Sequence, residues 1–223
     1  MSMIEVKNLC FSYENGRKIL DDVSFSVEEG EAVVLAGYSG AGKTTLSHCL
    51  CGIIPNAVRG EMSGSVTVDG CNIPSLPLYE CAKHIGLVFQ NPDDQLICTA
   101  VEDELAFGLE NLCVDPGEIR ARVDDMLGFF RLTELSERDP ARLSGGQKKL
   151  VTIASVLIMG PKVLILDEPM TGLDAESREL VFGAIDRLKE SGCTIVAVEH
   201  DLSLAGYAER ILYLREGRLH DKP

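Results

Sequence analysis

Glycines, a lysine and a threonine near position 40 have the spacing of a phosphate-binding loop. Residues 37–44 read Gly-Tyr-Ser-Gly-Ala-Gly-Lys-Thr and fit the pattern G-x-x-x-x-G-K-[ST]. The glycines let backbone N–H groups turn toward a phosphate, the following helix adds its positive N-terminal end, and Lys43 can neutralise phosphate charge. An apolar strand pattern, Ala32–Ala36, precedes the loop as the motif requires, so a glycine-rich turn that only begins a helix is the weaker interpretation.

Two carboxylates at the end of an apolar strand form a second candidate site. Residues 163–168 read Val-Leu-Ile-Leu-Asp-Glu, and open α/β sheets bind their ligands at strand ends of this kind. Because neighbouring strand residues point to opposite sides, Asp167 and Glu168 are expected to have different roles at a magnesium site with a catalytic base. Adjacent acids also occur in solvated turns, but the apolar run and Pro169 argue against that alternative.

The pentapeptide Leu143-Ser144-Gly145-Gly146-Gln147 opens a predicted helix that ends at Gly160-Pro161. The N–H groups of its serine and glycines should point outward from the helix N-terminus and form an exposed anion site. A site detached from its own phosphate loop suits a phosphate that is held by a second subunit. A Ser-Gly-Gly segment alone would more often be a flexible turn.

In this order the three motifs resemble the ATP-binding cassette (ABC) family, the ATPase subunits of ABC transporters. The resemblance covers essentially the whole chain and implies ATP and Mg²⁺ as cofactors, with two cassettes sandwiching two ATP molecules head to tail. It implies that Thr44 and Asp167 hold Mg²⁺ and that Thr45 lies near the α-phosphate. Glu168 would polarise the attacking water.

Four further positions match motifs of the family. Gln90, after a predicted strand at 85–89, matches the glutamine that contacts Mg²⁺ and senses the membrane partner, and His200 matches the switch histidine that reaches the γ-phosphate. Asp174 matches the loop that communicates between the two ATP sites, and Tyr13 matches the aromatic residue that stacks on adenine. A lone histidine after a strand is usually structural, and a strand tyrosine could equally belong to the core.

The resemblance thus assigns three sets of site residues. The catalytic set is Glu168, His200 and Gln90, and the magnesium ligands are Thr44, Gln90 and Asp167. The nucleotide-binding set is Tyr13, Gly37, Ser39, Gly40, Ala41, Gly42, Lys43, Thr44, Thr45, Ser144, Gly145, Gly146, Gln147 and Asp174.

Two segments narrow the resemblance to one branch of the family. Residues 90–96 (Gln-Asn-Pro-Asp-Asp-Gln-Leu) and 102–108 (Glu-Asp-Glu-Leu-Ala-Phe-Gly) are similar to the energy-coupling factor branch, the importers of vitamins and of cobalt or nickel ions. This branch implies an identical or related second cassette, a transmembrane coupling subunit and a separate substrate-binding membrane subunit. Leu150 and Met170 depart from the usual arginine and threonine. Many members carry a C-terminal extension that does not follow Gly217, which suggests a truncated protein or one half of a tandem cassette.

Hydrophobic periodicity and the resemblance together predict an α/β fold. It would have a P-loop NTPase (RecA-like) core, an N-terminal antiparallel β subdomain around a turn at Asn15-Gly16, and an inserted all-helical subdomain. Residues 1–90 and 160–223 would form the core of a single domain, and residues 91–159, with a capped helix start at Asp115-Pro116, the helical part. Further strands are predicted at 65–68, 85–89, 162–166, 194–198 and 210–214, and a helix at 43–51.

Composition disfavours several other classes of protein. The net charge is −14, from 35 acidic and 21 basic residues, which disfavours a nucleic-acid partner. No apolar run reaches the roughly 18 residues needed to cross a bilayer, and the N-terminus lacks the pattern of a secretory signal. We therefore expect a cytoplasmic protein, and the family resemblance implies a peripheral position on the inner face of the membrane. The eight cysteines include no C-x-x-C pair and are expected to be reduced and buried.

Two other functions are compatible with a nucleotide-binding cassette. A soluble ABC ATPase of DNA repair or translation would need a coiled-coil insertion, a basic surface or a second cassette, none of which the sequence shows. A regulatory module without turnover is disfavoured by Glu168 and His200. The acidic turn at 92–96, directly after Gln90, is the candidate surface for the membrane partner, although a solvated acidic loop has the same composition.

Overall fold

The strands and helices of the described residues include all those that the sequence pattern predicts, together with several that it does not. The computed structural model describes residues 2–200 and 204–220. The strands are β1 (Ser2–Tyr13), β2 (Lys18–Glu28), β3 (Ala32–Ala36), β4 (Gly60–Val68), β5 (Cys71–Asn72), β6 (Ile85–Val88), β7 (Val163–Asp167), β8 (Thr194–Glu199), β9 (Arg210–Arg215) and β10 (Arg218–His220). The helices are α1 (Lys43–Leu50), α2 (Ile53–Asn56), α3 (Leu78–Cys81), α4 (Val101–Asn111), α5 (Pro116–Phe129), α6 (Gly145–Leu157) and α7 (Ala175–Glu190).

The chain divides into two units, each with its own buried apolar residues. The first comprises residues 1–87, 162–168 and 188–223, and the second comprises residues 88–161 and 169–187. No helix in the two described ranges has the length and apolar character needed to span a membrane.

An antiparallel sheet in the first unit has the strand order β2-β1-β4-β5. Its centre is β1, which pairs with β2 on one side and with β4 on the other. Apolar alternation along β1 changes phase at Asn8, where φ is 47° and the register of both pairings shifts. The bulge keeps Val6 and Leu9 on the same buried face although their spacing is odd.

A second sheet in the same unit is largely parallel and carries the strand order β10-β9-β3-β8-β7-β6. Strands β3, β8 and β7 are adjacent and parallel, and all of their residues are buried. Continuous apolar runs are typical of such strands because helices cover both faces of a parallel sheet. Parallel alignment also brings the carboxyl ends of β3, β8 and β7 to one edge.

The second unit is built from helices and short 3₁₀ turns. Helix α5 begins as predicted: Asp115 is the N-cap, and its side chain accepts hydrogen bonds from the N–H groups of Gly117 at 2.9 Å and Glu118 at 3.4 Å. Helix α6 buries the predicted face, which consists of Leu150, Ile153, Ala154, Leu157 and Ile158. The buried apolar residues of α4 and α5 are Val101, Leu105, Leu109, Val123 and Leu127.

The prediction that the cysteines are buried is wrong for half of them. All eight are free thiols, but only four are buried; three are half-buried and one is exposed. The buried residues are Cys49, Cys51, Cys81 and Cys193, the half-buried residues are Cys10, Cys71 and Cys98, and the exposed residue is Cys113. Composition could not separate these classes, because each cysteine's depth is set by the element that carries it.

The cap of α5 generates a prediction for stability. Asp115→Ala should lower the free energy of unfolding by about 1 kcal/mol, because two N–H groups at the start of the helix lose their acceptor. Asp124→Ala removes the same charge from an exposed position within α5 and should change stability by less than about 0.5 kcal/mol. Urea unfolding of both variants without nucleotide measures the difference, and equal losses would contradict the capping role.

Candidate functional site

The phosphate loop connects β3 to α1 in the first unit. Lys43 is only 6% exposed, and its Nζ donates hydrogen bonds to the carbonyl oxygens of Gly37 at 2.6 Å and Tyr38 at 3.1 Å. The ammonium group therefore lies over the loop, where a bound phosphate would take over its hydrogen bonds. A Cβ atom at Gly37 would collide with the carbonyl oxygen of Leu214, so this close approach admits only glycine.

The first turn of α1 carries two threonines in different environments. Thr44 is exposed, whereas Thr45 is 7% exposed and its Oγ1 lies 3.3 Å from the hydroxyl of Tyr13. Tyr13 is half-buried, and its ring meets Phe11 edge to face with 5.0 Å between centroids. The tyrosine thus packs on the core and also lies beside the helix that follows the phosphate loop.

Two buried acidic residues lie at the carboxyl edge of the parallel sheet. Ala36 is opposite Glu199 in the β3–β8 pair, and Asp167 is opposite Val198 in the β7–β8 pair. The strand that ends in Glu199 therefore lies between the strand of the phosphate loop and the strand of Asp167. Asp167 is 3% exposed and Glu199 is 1% exposed. Glu199 was not predicted; its only signal is a carboxylate at the end of an apolar strand.

The direction of the Glu168 side chain is set by its backbone and not, as the sequence had suggested, by strand alternation. It follows β7 with φ at 48°, and its N–H donates to the carbonyl oxygen of Val198 at 3.0 Å. A left-handed residue after the strand, rather than strand alternation, therefore separates its side chain from that of Asp167. His200 Nδ1 lies 3.6 Å from Glu168 Oε1, so the predicted base and the predicted switch histidine are neighbours.

Burial and charge have opposite effects on the lysine of this site. Burial lowers the pKa of Lys43, and the carboxylates of Glu168, Asp167 and Glu199 act in the other direction and raise it. The three acids thus favour the charged ammonium that phosphate binding requires.

The Ser144 segment forms a capped helix start in the second unit. Ser144 Oγ accepts the N–H of Gln147 at 3.3 Å, and Gln147 Oε1 accepts the N–H of Ser144 at 3.0 Å, which is a capping box. The N–H of Ser144 is therefore engaged within the cap, although the sequence led us to expect it to point outward. Among the described residues, no acceptor bonds the N–H groups of Gly145 and Gly146, which remain at the helix N-terminus as donors for an anion.

A buried lysine that the sequence analysis missed holds the segment after β6. Lys149 of α6 is 2% exposed, and its Nζ donates to the carbonyl oxygens of Phe89 at 3.1 Å and Gln90 at 2.6 Å. The N–H of Phe89 donates to Gln95 Oε1 at 3.0 Å. These bonds fix the backbone at Gln90, although the residue as a whole is exposed. The available signal was a lysine next to Leu150 on the apolar face of a helix.

The remaining predicted residues of the second unit lie at exposed turns. Asp174 precedes α7, and its side chain accepts the N–H of Ser177 at 2.8 Å, a bond that lowers the pKa of Asp174. Asp93, in the acidic turn after Gln90, pairs with Lys148 at 2.6 Å.

Comparisons with known proteins give the family and the relatives to which this chain is similar. The sequence profile of the ABC transporter family matches residues 20–171. The chain is 40% identical over 220 residues to the energy-coupling factor transporter ATP-binding protein EcfA1 of Enterococcus faecalis (strain ATCC 700802 / V583), covering 97% of this chain and 77% of that protein. It is also 40% identical over 225 residues to the cobalt import ATP-binding protein CbiO of Syntrophus aciditrophicus (strain SB), covering 99% and 79%.

A solved structure extends the comparison to the fold. The dimeric ATP-binding cassette MJ0796, in a post-hydrolysis state bound to ADP and phosphate, superposes with a TM-score of 0.88 and 28% identity, covering 99% of this chain and 98% of that chain.

The phosphate loop, the acidic strand end and the capped Ser-Gly-Gly helix are the parts of a nucleotide-hydrolysing cassette, and the chain belongs to the ABC transporter family. The predicted α/β fold class and the resemblance to the energy-coupling factor branch are confirmed. The chain is an ATP-binding, ATP-hydrolysing subunit of an ABC transporter of that branch.

Lys149 generates a prediction for the backbone around Gln90. Lys149→Met keeps the apolar stem of the side chain but removes the donor to two carbonyl oxygens, so amide hydrogen exchange in residues 89–98 should accelerate by roughly tenfold or more. Lys148→Met, which breaks only the ion pair with the exposed Asp93, is the matched control and should leave exchange near the wild-type rate. Unchanged exchange in Lys149→Met would show that other contacts order this segment.

Proposed function

We propose that this chain hydrolyses MgATP at the carboxyl edge of its parallel sheet. The observation that supports this most directly is the shared edge at which β3, β8 and β7 end in the phosphate loop, in Glu199-His200 and in Asp167-Glu168. Backbone N–H groups of residues 37–45, together with Lys43, bind the phosphates. The ring of Tyr13 stacks on the adenine.

The residues at this edge suit Mg²⁺ by their chemistry. Mg²⁺ prefers oxygen ligands and is commonly held by one or two carboxylates together with phosphate oxygens and water. Thr44 offers an exposed hydroxyl at the start of α1, and Asp167 offers a buried carboxylate at the end of β7. Bound there, the ion would neutralise phosphate charge as it develops during the reaction.

Glu168 is the general base in this proposal, and His200 positions the reacting groups. Glu168 accepts the proton of the attacking water, and Lys43 and the loop N–H groups hold the phosphate on which negative charge develops. His200 lies 3.6 Å from the Glu168 carboxylate, where it can hold the base and donate to a phosphate oxygen. The left-handed backbone of Glu168 directs this carboxylate independently of Asp167.

The base assignment predicts a separation of binding from turnover. Glu168→Gln should bind ATP with an affinity near that of the wild type and hydrolyse it at least about 100-fold more slowly, because only proton removal is lost. Glu216→Gln is the control, since Glu216 is an exposed glutamate with a similar φ of 49°. Nucleotide binding and phosphate release are measured on both variants. A Glu168→Gln protein that turns over normally, or that no longer binds ATP, would remove the assignment.

The Ser144 helix completes the site of a second cassette in the proposed assembly. Its free N–H groups at Gly145 and Gly146, at the N-terminal end of a 13-residue helix, form a donor pair for a γ-phosphate held by the partner. Two such contacts, related by a twofold axis, would give a dimer with two composite sites. The ADP-bound cassette dimer among the structural relatives supports this arrangement.

Complementation between two inactive chains tests the composite sites. A Ser144→Arg chain mixed with a Lys43→Ala chain should regain part of the wild-type ATPase activity, because a mixed dimer combines both lesions in one site and keeps the other intact. Each variant alone should be inactive and serves as its own control. If mixed dimers form, as shown by differently tagged chains, and activity does not return, Ser144 acts within its own chain.

The relatives and the segment after Gln90 support a transmembrane partner and a solute class for this proposal. A transmembrane coupling subunit would contact the acidic turn that includes Asp93 and Asp94, and a separate membrane subunit would bind the solute. The names of the relatives, an energy-coupling factor transporter subunit and a cobalt import subunit, support an importer of this type. The family resemblance extends the proposal to vitamins or to cobalt or nickel ions as the solute, with the cassette at the inner face of the membrane.

A further inference from the structure

A cysteine, a histidine and an aspartate form a chain of hydrogen bonds outside the ATP site. Cys71 Sγ is 3.8 Å from His84 Nε2, and His84 Nδ1 is 3.0 Å from Asp69 Oδ2. Lys162 Nζ also bonds Asp69 Oδ2 at 2.9 Å. A nucleophile next to a base that is oriented by a third group is the arrangement by which proteins activate thiols.

The topology places this cluster at the opposite end of the sheet from the ATP site. Asp69 lies in the turn between β4 and β5, and Cys71 begins β5. His84 directly precedes β6, Lys162 directly precedes β7, and the carbonyl oxygen of His84 accepts the N–H of Val163. The cluster therefore lies at the amino end of β7, whereas Asp167 ends the same strand.

The hydrogen bonds define how a proton can move in the cluster. The bond to Asp69 engages His84 Nδ1 as the donor, which leaves the lone pair of Nε2 to accept the proton of the Cys71 thiol. The Asp69 carboxylate stabilises the imidazolium that results. The hydrogen bond to Asp69 also raises the pKa of Lys162, with smaller contributions from Glu29 and Cys71, and keeps a positive charge beside the cluster.

We propose that Cys71 is a nucleophilic thiol, activated by His84 and Asp69, that reacts with low-molecular-weight disulfides. Cys71 gives its proton to His84 Nε2, and the thiolate attacks one sulfur of the disulfide. A new S–S bond forms as the old S–S bond breaks, and the departing thiolate takes the proton from His84. No net oxidant is consumed beyond the disulfide itself, and a second small thiol reverses the step.

The other thiols provide an internal comparison. Burial raises the pKa of Cys49 and of Cys51 to about 12 and that of Cys193 to about 11, so these thiols are inert at neutral pH. Cys113 is exposed, and no described basic group hydrogen bonds to it. Exposure alone would make Cys113 the more reactive thiol, whereas activation makes the half-buried Cys71 the more reactive one.

The test uses oxidised glutathione as the disulfide and the full, reduced chain near neutral pH. Peptide mass spectrometry on quenched samples gives the rate of glutathione addition at each cysteine. Cys71 should react about tenfold or more faster than Cys113. His84→Asn should remove most of this advantage, and Asp69→Asn, which the left-handed backbone at Asp69 tolerates, should reduce it. Lys83→Ala, next to His84 but outside the cluster, should react like the wild type.

Two results would overturn the proposal. One is a Cys71 rate that does not exceed that of Cys113, and the other is an undiminished Cys71 rate in a folded His84→Asn or Asp69→Asn protein; either would leave the cluster with a structural role. Thermal unfolding and basal ATP hydrolysis show whether each variant is folded. Should His84→Asn fail to fold, the rate in Asp69→Asn alone decides the question.

Discussion

Parallel alignment of β3, β8 and β7 is the constraint on which the ATP site depends. In this register the phosphate loop, Glu199-His200 and Asp167-Glu168 must all emerge at one edge, since each follows the end of its strand. Burial at this edge disfavours the charge on Lys43, and the carboxylates of Glu168, Asp167 and Glu199 favour it. A one-residue slip of β7 against β8 would turn Asp167 to the other face of the sheet and separate it from the phosphate loop.

Local signals were sufficient for much of this fold. Apolar runs predicted β3 and β7 because strands buried on both faces need no alternation, and the Asp115-Pro116 signal predicted the start of α5 to the residue. The predicted strand at 65–68 proved to begin at Gly60, and α7 and β10 were not predicted. The buried residues of α7, Val181, Ala184 and Ile185, stand at helical spacing, so this helix was within reach of the sequence pattern although it was not predicted.

Buried side chains that bond backbone groups explain much of what the sequence did not reveal. Lys149 bonds carbonyl oxygens about 60 positions away, and Glu104, 5% exposed, accepts the N–H groups of Ile97 and Cys98 at 2.9 and 2.7 Å. Glu104 lies in the 102–108 segment that narrowed the resemblance, but neither its contacts nor those of Lys149 could be predicted, because the partners are backbone groups that could be any residue type. Buried charges of this kind are costly unless they are paired, which makes them markers of a fixed backbone. Glu168 shows the same limit, since its φ of 48° could not be predicted from the strand pattern.

The two ends of β7 carry different chemistries. The strand has five residues, so the Cα atoms of its first and last residues lie about 13 Å apart. That separation exceeds the Debye length of about 8 Å at physiological ionic strength, but Lys43 and Asp167 are buried, and salt screens buried charges much less than exposed ones. A charged modification of Cys71 would therefore act on these two groups electrostatically as well as through the packing of β5 and β6. A neutral modification would act through that packing alone, or through a partner that contacts the surface at His84 and Lys162.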